Sequence, residues 1–342
     1  MGVTIDGSSL DGFLAKAAGA PARLVEARRM GGGALQENWA LDVEVDAGPM
    51  RGRHALVLRT SPPRVMADSV PRAQEFAVLK AAHAAGVTVP EPLWLCQDEG
   101  VLGRAFFVMR RVPGVALGQK VVRDARFVPL HGALAERLAR ELARIHAIRP
   151  GHPGLEDFPL PKGDPARFLI ASYRAVLDGA REAHPALEWG LAWLEERAEP
   201  TPEVVLCHRD FRTGNYLVDP ERPQDGGLSG ILDWEFSGWG DPLEDLGFFC
   251  SRSWRFGAED RPAGGITSRE AFAAAYAAAS GRTVDPERLR FWEVMGNMRW
   301  AVIAIQQAER HLSGIEPSLE LAAIGRRTAE MELEVLALTG AL

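Results

Sequence analysis

The chain changes character at Pro113-Gly114, and this break constrains the fold more than any other feature of the sequence. Before it, segments rich in β-branched and aromatic residues alternate with turn residues. After it, long segments with apolar residues at helical spacing dominate. This pattern predicts an α+β protein with a small β-rich part, residues 1–112, and a larger, mostly helical part, residues 113–342. We expect a cleft between the two.

The N-terminal part has the order strand, strand, helix, strand, strand. The segments 39–45 and 54–60 alternate in hydrophobicity, and the Gly- and Pro-containing turn between them predicts a hairpin. A helix is expected over about 70–85. The segments 91–98 and 105–112 predict the last two strands.

The C-terminal part is predicted to be helical apart from one β-rich island at 203–236. Apolar residues at helical spacing predict helices over 133–148, 165–183, 185–199, 268–280, 286–312 and 317–338. Within the island, VVLCH and NYLVD predict short strands, RDFRTG predicts the loop between them, and GILDWE predicts the next strand.

The charge balance disfavours nucleic acid and anionic membrane as partners. The formal net charge is −7, from 39 basic and 46 acidic residues, and no basic cluster stands out. Residues 1–112 carry a net charge of +1 and the remainder carries −8. The sequence makes no prediction of the oligomeric state.

The three cysteines, Cys96, Cys207 and Cys250, are far apart in sequence and form no CxxC pair. This spacing disfavours a disulfide framework and a cysteine zinc site, and it fits a reducing compartment. The first 20 residues lack the pattern of a secretory signal. The sequence also lacks an apolar stretch of about 20 residues, as a membrane-spanning helix requires. A cytoplasmic location is expected.

The island at 203–236 carries the residues best suited to chemistry. Asp210, Asn215 and Asp233 lie at predicted strand ends near one loop. Mg²⁺ prefers hard oxygen ligands, which the amide of Asn215 and the carboxylate of Asp233 can supply. The carboxylate of Asp210 can accept the proton of an attacking hydroxyl group. These residue types predict magnesium-dependent phosphoryl transfer.

The sequence HRDFRTGN followed by ILDWE and GDPLEDLG resembles the motifs of aminoglycoside phosphotransferase-like kinases. The segments VLRTSP, QEFAVLKAAHAAGVTVPEPLWLCQD and VLGRAFFVMRRVPG are similar to the kinase-like domains joined to some acyl-CoA dehydrogenases. The resemblance covers about residues 25–310. It implies a two-lobed protein-kinase-like fold and an ATP- and Mg²⁺-dependent phosphotransferase that acts on a hydroxyl group of a small molecule.

The resemblance also implies roles for single residues. Asp210 is the catalytic base or orients the hydroxyl group, and Asn215 and Asp233 bind Mg²⁺. Arg59 stands where the family usually has a phosphate-binding Lys, and Glu75 is the helix residue that pairs with it. A guanidinium can still bind phosphates, so this exchange does not predict an inactive protein.

Further nucleotide contacts follow from the same resemblance. The segment Met109–Val112 corresponds to the interlobe hinge, with backbone groups of Arg110 and Val112 facing adenine. The region of the nucleotide-covering loop contains Gly31, Gly32, Gly33 and Asn38. Because this segment lacks a clean GxGxxG pattern, it can equally be a turn between two strands.

Several residues near the motifs have two interpretations. His208 is expected to be structural rather than catalytic, and Glu235 either contacts a second metal ion or substrate or makes a structural hydrogen bond. Asp241 and Asp245 are expected to cap or brace the helix after the site or the catalytic loop. Arg209 replaces the Gly that is usual at its position in small-molecule kinases, and its partner is left open.

The aromatic residues of the C-terminal part include Trp239 and Trp254, which either contribute to an apolar acceptor pocket or pack in the core. Arg299 binds either an acidic substrate group or an internal carboxylate. The leading prediction for the acceptor is a hydroxylated metabolite or a hydroxyacyl compound. The alternatives are an aminoglycoside or macrolide kinase, and a nucleotide-binding scaffold that has lost turnover.

Overall fold

The structure is a computed structural model that describes residues 7–31, 37–60 and 69–342. The chain forms two compact units. The first comprises the residues up to Pro113 together with His152–Asp157 and Ser229–Ser237. The second comprises Gly114–Gly151, Phe158–Leu228 and Gly238–Leu342.

The first unit is built on a five-stranded antiparallel sheet of order β1-β2-β3-β5-β4. Its elements in chain order are α1 (Gly7–Ala18), β1 (Ala22–Arg29), β2 (Glu37–Val45), β3 (Gly52–Thr60), α2 (Arg72–Ala84), β4 (Pro92–Cys96), α3 (Glu99–Leu102) and β5 (Phe106–Arg110).

Alternation along the strands gives the sheet two apolar faces, because successive side chains point to opposite sides. On one face, Leu41, Leu56 and Phe106 join a buried cluster with Leu10 and Leu14 of α1. Phe107 points to the other face, where its ring lies 5.6 Å from that of Phe76 on α2. Both helices are therefore fixed by packing against the sheet.

The segment Ser229–Ser237 belongs to the first unit because of its backbone hydrogen bonds. The N–H of Ile231 donates to the carbonyl of Thr88, and the N–H of Val70 donates to the carbonyl of Glu235, both at 2.8 Å. The strand predicted over GILDWE is wrong at its end. Asp233 has a φ of 69°, which ends the strand, and one turn of 3-10 helix follows it.

The second unit is mostly helical. Its elements in chain order are α4 (Gly118–Arg123), α5 (His131–Ile145), α6 (Pro165–Asp178), α7 (Pro185–Arg197), β6 (Val205–Cys207), β7 (Tyr216–Val218), β8 (Leu228–Ile231, which continues into the first unit at Ser229), β9 (Gly238–Gly240), α8 (Pro242–Cys250), α9 (Arg269–Ser280), α10 (Pro286–Leu312), α11 (Leu319–Gly325) and α12 (Thr328–Thr339).

Helix α8 is buried along its whole length and packs on α10 through two glycines. A Cβ at Gly247 would collide with the backbone of Trp292. A Cβ at Gly296 would lie 3.0 Å from the Cα of Phe248. The helices therefore approach more closely than larger residues would permit, which fixes α8 directly after β9.

The single helix expected over 317–338 is two helices, α11 and α12. Gly325 packs on Ala308 of α10, and the hydroxyl of Thr328 donates to the carbonyl of Gly325 at 2.8 Å. This hydrogen bond takes up a carbonyl at the end of α11 and favours a turn there. Apolar spacing continues across the turn, so the sequence pattern gave no sign of it.

The three cysteines are buried and free, in agreement with the prediction of no disulfide framework. Among the described residues, 7–31, 37–60 and 69–342, no helix combines the length and the apolar character needed to cross a bilayer.

Candidate active site

The loop from His208 to Asn215 joins β6 to β7 in the second unit and carries the predicted catalytic carboxylate. Strand β6 pairs with β9 in antiparallel register, with Cys207 opposite Gly238. The pairing fixes the point at which the chain leaves β6 and enters the loop.

Asp210 is held by groups of its own loop. Its N–H donates to Nδ1 of His208 at 3.2 Å, and its Oδ1 accepts a hydrogen bond from Nε of Arg212 at 3.1 Å. Its side chain is 13% exposed, so the carboxylate is shielded without being sealed from solvent. This arrangement suits a carboxylate that must meet an incoming hydroxyl group.

The amide of Asn215 is oriented by Asp210. Its Nδ2 donates to the backbone carbonyl of Asp210 at 2.9 Å and to Oδ2 of the same residue at 2.5 Å. Because both acceptors are oxygens, the amide nitrogen must face Asp210. The remaining amide oxygen is a hard donor of the kind that Mg²⁺ binds, so the residue fits the predicted metal role.

Asp245 on α8 holds the start of this loop through its backbone. The Asp245 carboxylate accepts the N–H of His208 at 2.8 Å and that of Arg209 at 2.7 Å, and it lies 3.1 Å from Nε2 of His146. Burial alone would raise the pKa of Asp245, but the hydrogen bond and charge of His146, with His208, lower it. Asp245 therefore stays ionised in a fully buried position.

In the first unit, Arg59 lies between two carboxylates. Its Nε is 2.8 Å from Oε1 of Glu75 on α2, and its NH2 group donates to Oδ1 of Asp233. Burial would lower the pKa of Arg59, but Glu75 and Asp233 outweigh it and raise the pKa above its usual value. The guanidinium therefore stays charged at this buried position.

A second cation, Arg72, extends this cluster. It pairs with Glu75 three residues later on α2 and lies 3.3 Å from Oε2 of Glu235. Ser69 also donates to Glu235, at 2.9 Å. Burial and the nearby Asp233 raise the pKa of Glu235 to about 7. Glu235 therefore makes structural contacts within the first unit, one of the two interpretations of the sequence.

The nucleotide-covering segment is described only in part. Gly32 and Gly33 lie outside the described residues. Gly31 follows β1, whereas Asn38 is in β2 rather than in a loop and stands opposite Arg59 in the ladder. The strands on either side of this segment, β1 and β2, are antiparallel neighbours.

The hinge segment uses part of its backbone inside the sheet. The N–H of Arg110 donates to the carbonyl of Glu91 at 2.9 Å, and its side chain forms an ion pair with the same residue. Arg110 therefore cannot offer its N–H to adenine, and only its carbonyl group fits that role. Met109 and Val112 flank it and are partly exposed.

Two of the residues predicted to contact substrate are engaged within the second unit. Trp239 is 2% exposed and donates its indole N–H to the carbonyl of Phe158, so it belongs to the core. Arg299 donates to the backbone carbonyl of Arg209 and lies 3.8 Å from Glu244. Its partner is thus an internal group.

Trp254 and Asp241 are also buried in the second unit. The ring of Trp254 packs against Trp300. The guanidinium carbon of Arg212 lies over the Trp254 ring, 4.4 Å from the centroid of that ring. Asp241 caps α8 by accepting the N–H of Leu243 at 2.8 Å, as a helix N-cap residue does.

Sequence reasoning missed several residues that contact the predicted ones, among them Arg72, Arg212 and Glu244. Arg72 lies three residues before Glu75, which is the spacing of neighbours on one helix face. Arg212 lies two residues after Asp210 within the quoted motif. Glu244 lies in GDPLEDLG, but its partner Arg209 is 35 residues earlier and no local pattern connects them.

The sequence matches the model of the phosphotransferase enzyme family over residues 26–292. The chain belongs to this family. A structure of an aminoglycoside phosphotransferase from Ralstonia eutropha superimposes on this family member with a TM-score of 0.78 at 22% identity, covering 99% of both chains. A thermostable mutant of another aminoglycoside phosphotransferase, in complex with ADP and hygromycin B, gives a TM-score of 0.60 at 18% identity, covering 97% of this chain and 98% of that one. These similarities confirm the protein-kinase-like fold.

Two curated relatives differ in kind. Acyl-CoA dehydrogenase family member 11 from Pongo abelii is 27% identical over 83% of this chain but only 38% of its own length. Streptomycin 3''-kinase from Streptomyces griseus is 28% identical over 65% of this chain and 78% of its own length. This chain thus spans well under half the length of its acyl-CoA dehydrogenase relative.

Proposed function

We propose that the protein transfers the γ-phosphate of ATP, with Mg²⁺, to a hydroxyl group of a small molecule. The observation that carries the proposal is the pairing of Asp210 with Asn215 in the loop between β6 and β7. The transition state of phosphoryl transfer is loose, so positioning and charge neutralisation supply most of the catalysis. A carboxylate fixed by an amide meets the first requirement, and the Mg²⁺ that the amide oxygen would help to hold meets the second.

Each predicted residue has a role in this proposal. Asp210 accepts the proton of the acceptor hydroxyl group. Asn215 and Asp233 bind Mg²⁺, which neutralises phosphate charge when it is bound. Arg59 binds the phosphates of the nucleotide while Glu75 holds the guanidinium in place.

We infer that adenine is bound at the end of β5. The carbonyl of Arg110 accepts the exocyclic amine, and the N–H of Val112 donates to the ring. The use of the Arg110 N–H by Glu91 supports this division of roles, because it leaves Val112 as the donor. The ADP found in the structure of an aminoglycoside phosphotransferase with this fold supports an adenine nucleotide.

The acceptor that we favour is a hydroxyacyl compound. The similarity to acyl-CoA dehydrogenase family member 11 covers most of this chain, which supports a substrate related to acyl thioesters. The cationic Arg212 beside Asp210 also supports this choice, because it would repel a polycationic acceptor.

An antibiotic kinase is the second candidate, and the similarity to streptomycin 3''-kinase favours it. The acidic balance of residues 113–342 would attract a cationic aminoglycoside. The contact of Arg212 with Asp210 argues the other way at the site itself. We therefore rank this candidate second.

The test is a transfer assay with γ-labelled ATP and Mg²⁺ across hydroxyacyl-CoA thioesters, aminoglycosides and macrolides. We expect label on hydroxyacyl-CoA and none with Asp210→Asn. Label only on an antibiotic would support the second candidate. Binding of Mg²⁺–ATP without transfer to any acceptor would instead identify a nucleotide-binding scaffold and overturn the proposal.

A further inference from the structure

Arg209, the residue directly before Asp210, has a backbone conformation that is unfavourable for its type. Its φ is 63°, in the left-handed region that glycine adopts readily and bulky residues rarely adopt. Such a conformation persists only where surrounding contacts impose it. The contacts of Arg209 should therefore explain why a large residue occupies this position.

Both backbone groups of Arg209 are bound by side chains of other elements. Its N–H donates to Oδ1 of Asp245 at 2.7 Å, and its carbonyl accepts a hydrogen bond from Arg299. The two peptide groups on either side of Arg209 are thus fixed from α8 and from α10. This restraint determines the direction in which the chain enters Asp210.

The side chain of Arg209 is held by a buried carboxylate. Its Nε lies 3.2 Å from Oε1 of Glu244, and its NH2 group donates to the carbonyl of Trp239 at 3.0 Å. The same oxygen of Glu244 lies 3.8 Å from NH1 of Arg299. The Glu244 carboxylate on α8 therefore lies close to both Arg209 and Arg299.

Strand β9 is shaped to admit this ion cluster. A Cβ at Gly238 would collide with the guanidinium of Arg209, and a Cβ at Gly240 would collide with Oε2 of Glu244. Both glycines flank Trp239, whose carbonyl Arg209 binds. The space for the cluster depends on two small residues in a strand, which marks a built arrangement rather than a surface ion pair.

Electrostatics favour a charged Arg209. Burial would lower the pKa of Arg209, but Glu244 and the other acidic groups around it together raise the pKa. Burial raises the pKa of Glu244 despite its two cationic neighbours. Removal of either arginine would leave the buried carboxylate poorly compensated, which is costly.

We propose that Arg209, Glu244 and Arg299 form a clamp that holds Asp210 in the orientation needed for phosphoryl transfer. The proposal rests on the proposed kinase function. The clamp residues are positioning residues: they act through the backbone of residue 209 and need not touch nucleotide or acceptor. Displacement of a reacting group by about 1 Å can reduce a rate by about 10²-fold, so a loose Asp210 should affect kcat above all.

The decisive variant is Arg209→Gly, because it removes the side chain and keeps the backbone conformation. Glycine adopts the left-handed conformation without strain, which offsets part of the cost of leaving buried Glu244 without this cation. The side-chain contacts of residue 209 with Glu244 and with the carbonyl of Trp239 are lost. We expect kcat to fall by about 10²-fold, with the KM for ATP within about twofold of the wild-type value. Arg209→Lys, which keeps the charge, should recover part of kcat, and Glu244→Gln should lower kcat in the same way.

The matched control is Asp225→Gly. Asp225 also has a left-handed φ, 54°, and its side chain also forms ion pairs, with Arg137 and Arg140. This variant also replaces a charged residue in the left-handed conformation by glycine and removes its ion pairs, but at a position with no assigned role in the reaction. We expect wild-type kcat and KM. Equal kcat in Arg209→Gly and wild type would overturn the clamp.

A second measurement tests the clamp independently of activity. Amide hydrogen exchange is followed for the peptide that contains Asp210, without nucleotide. We expect exchange at least about tenfold faster in Arg209→Gly and Glu244→Gln than in wild type or Asp225→Gly. Suppose that the wild type transfers no phosphate but the two variants still exchange faster than the wild type. The proposed kinase function is then wrong, whereas the restraint on Asp210 is supported. Unchanged exchange would overturn the restraint whatever the activity.

Discussion

Replacing Asp210 by Asn is expected to reduce phosphoryl transfer by about 10³-fold, in the range seen for loss of a general base. The substitution keeps the size of the side chain, and its one acceptor oxygen can keep the hydrogen bond to Arg212 but not also the one from Nδ2 of Asn215. The backbone carbonyl of residue 210 still orients Asn215. The substitution removes the charge that accepts the hydroxyl proton. Affinity for Mg²⁺–ATP should stay within about threefold of wild type, because Asp210 is assigned to the acceptor rather than the nucleotide. Steady-state kinetics and calorimetry measure the two quantities.

The control for this variant is Asp219→Asn. Asp219 is a buried aspartate directly after β7, and its carboxylate accepts the N–H of Glu221 at 3.1 Å. The Asp219→Asn variant loses the same charge as Asp210→Asn. Because Asp219 has no assigned role in the reaction, kcat should be unchanged. Full turnover by Asp210→Asn would contradict the role of this carboxylate.

The second large effect is expected on stability, from Asp245→Asn. The fully buried carboxylate accepts two backbone N–H groups of the catalytic loop and contacts His146. An amide has only one acceptor oxygen, so at least one buried donor loses its partner. Loss of one member of a buried charged network typically costs about 3–5 kcal/mol. Urea unfolding should show a decrease of this size in the free energy of unfolding.

The sign of the pH dependence follows from the lowered pKa of Asp245. Stabilisation by this carboxylate is complete above its ordinary pKa of 3.8 and is lost as the pH falls through the lower value of the folded state. The Asn variant should therefore lose less stability in acid than wild type does. Equal acid sensitivity of the two proteins would contradict an ionised Asp245.

Asp164→Asn is the matched control for stability. Asp164 also accepts two backbone N–H groups, from Arg167 at 3.1 Å and Thr201 at 2.8 Å, but it is only partly buried at the start of α6. Loss of a helix cap costs about 1 kcal/mol. A similar loss in both variants would show that burial adds nothing to the effect of Asp245.

Local patterns were sufficient for much of the fold. Strands β2 and β3 alternate in hydrophobicity, and helix α5 carries its apolar residues on one face. The pairing of Asp210 with Asn215 could be expected for the same reason, because the two residues are close in sequence. These features depend on neighbours along the chain, which a sequence shows directly.

The features that the sequence did not predict depend on distant contacts. Helix α1 is only 12 residues long and is fixed through Leu10 and Leu14 by a sheet formed later in the chain. Strand β1 is a charged edge strand without clear alternation. The left-handed conformation of Arg209 is held by tertiary partners and is rare for its residue type.

The most direct test of the account is the Mg²⁺ dependence of ATP binding in wild type, Asn215→Ala and Asp233→Ala, measured by calorimetry with and without Mg²⁺. If both residues bind the ion, each substitution should lower the Mg²⁺-dependent affinity by at least about tenfold and leave binding of metal-free ATP nearly unchanged. Wild-type Mg²⁺ dependence in either variant would contradict the proposed magnesium-dependent phosphotransferase.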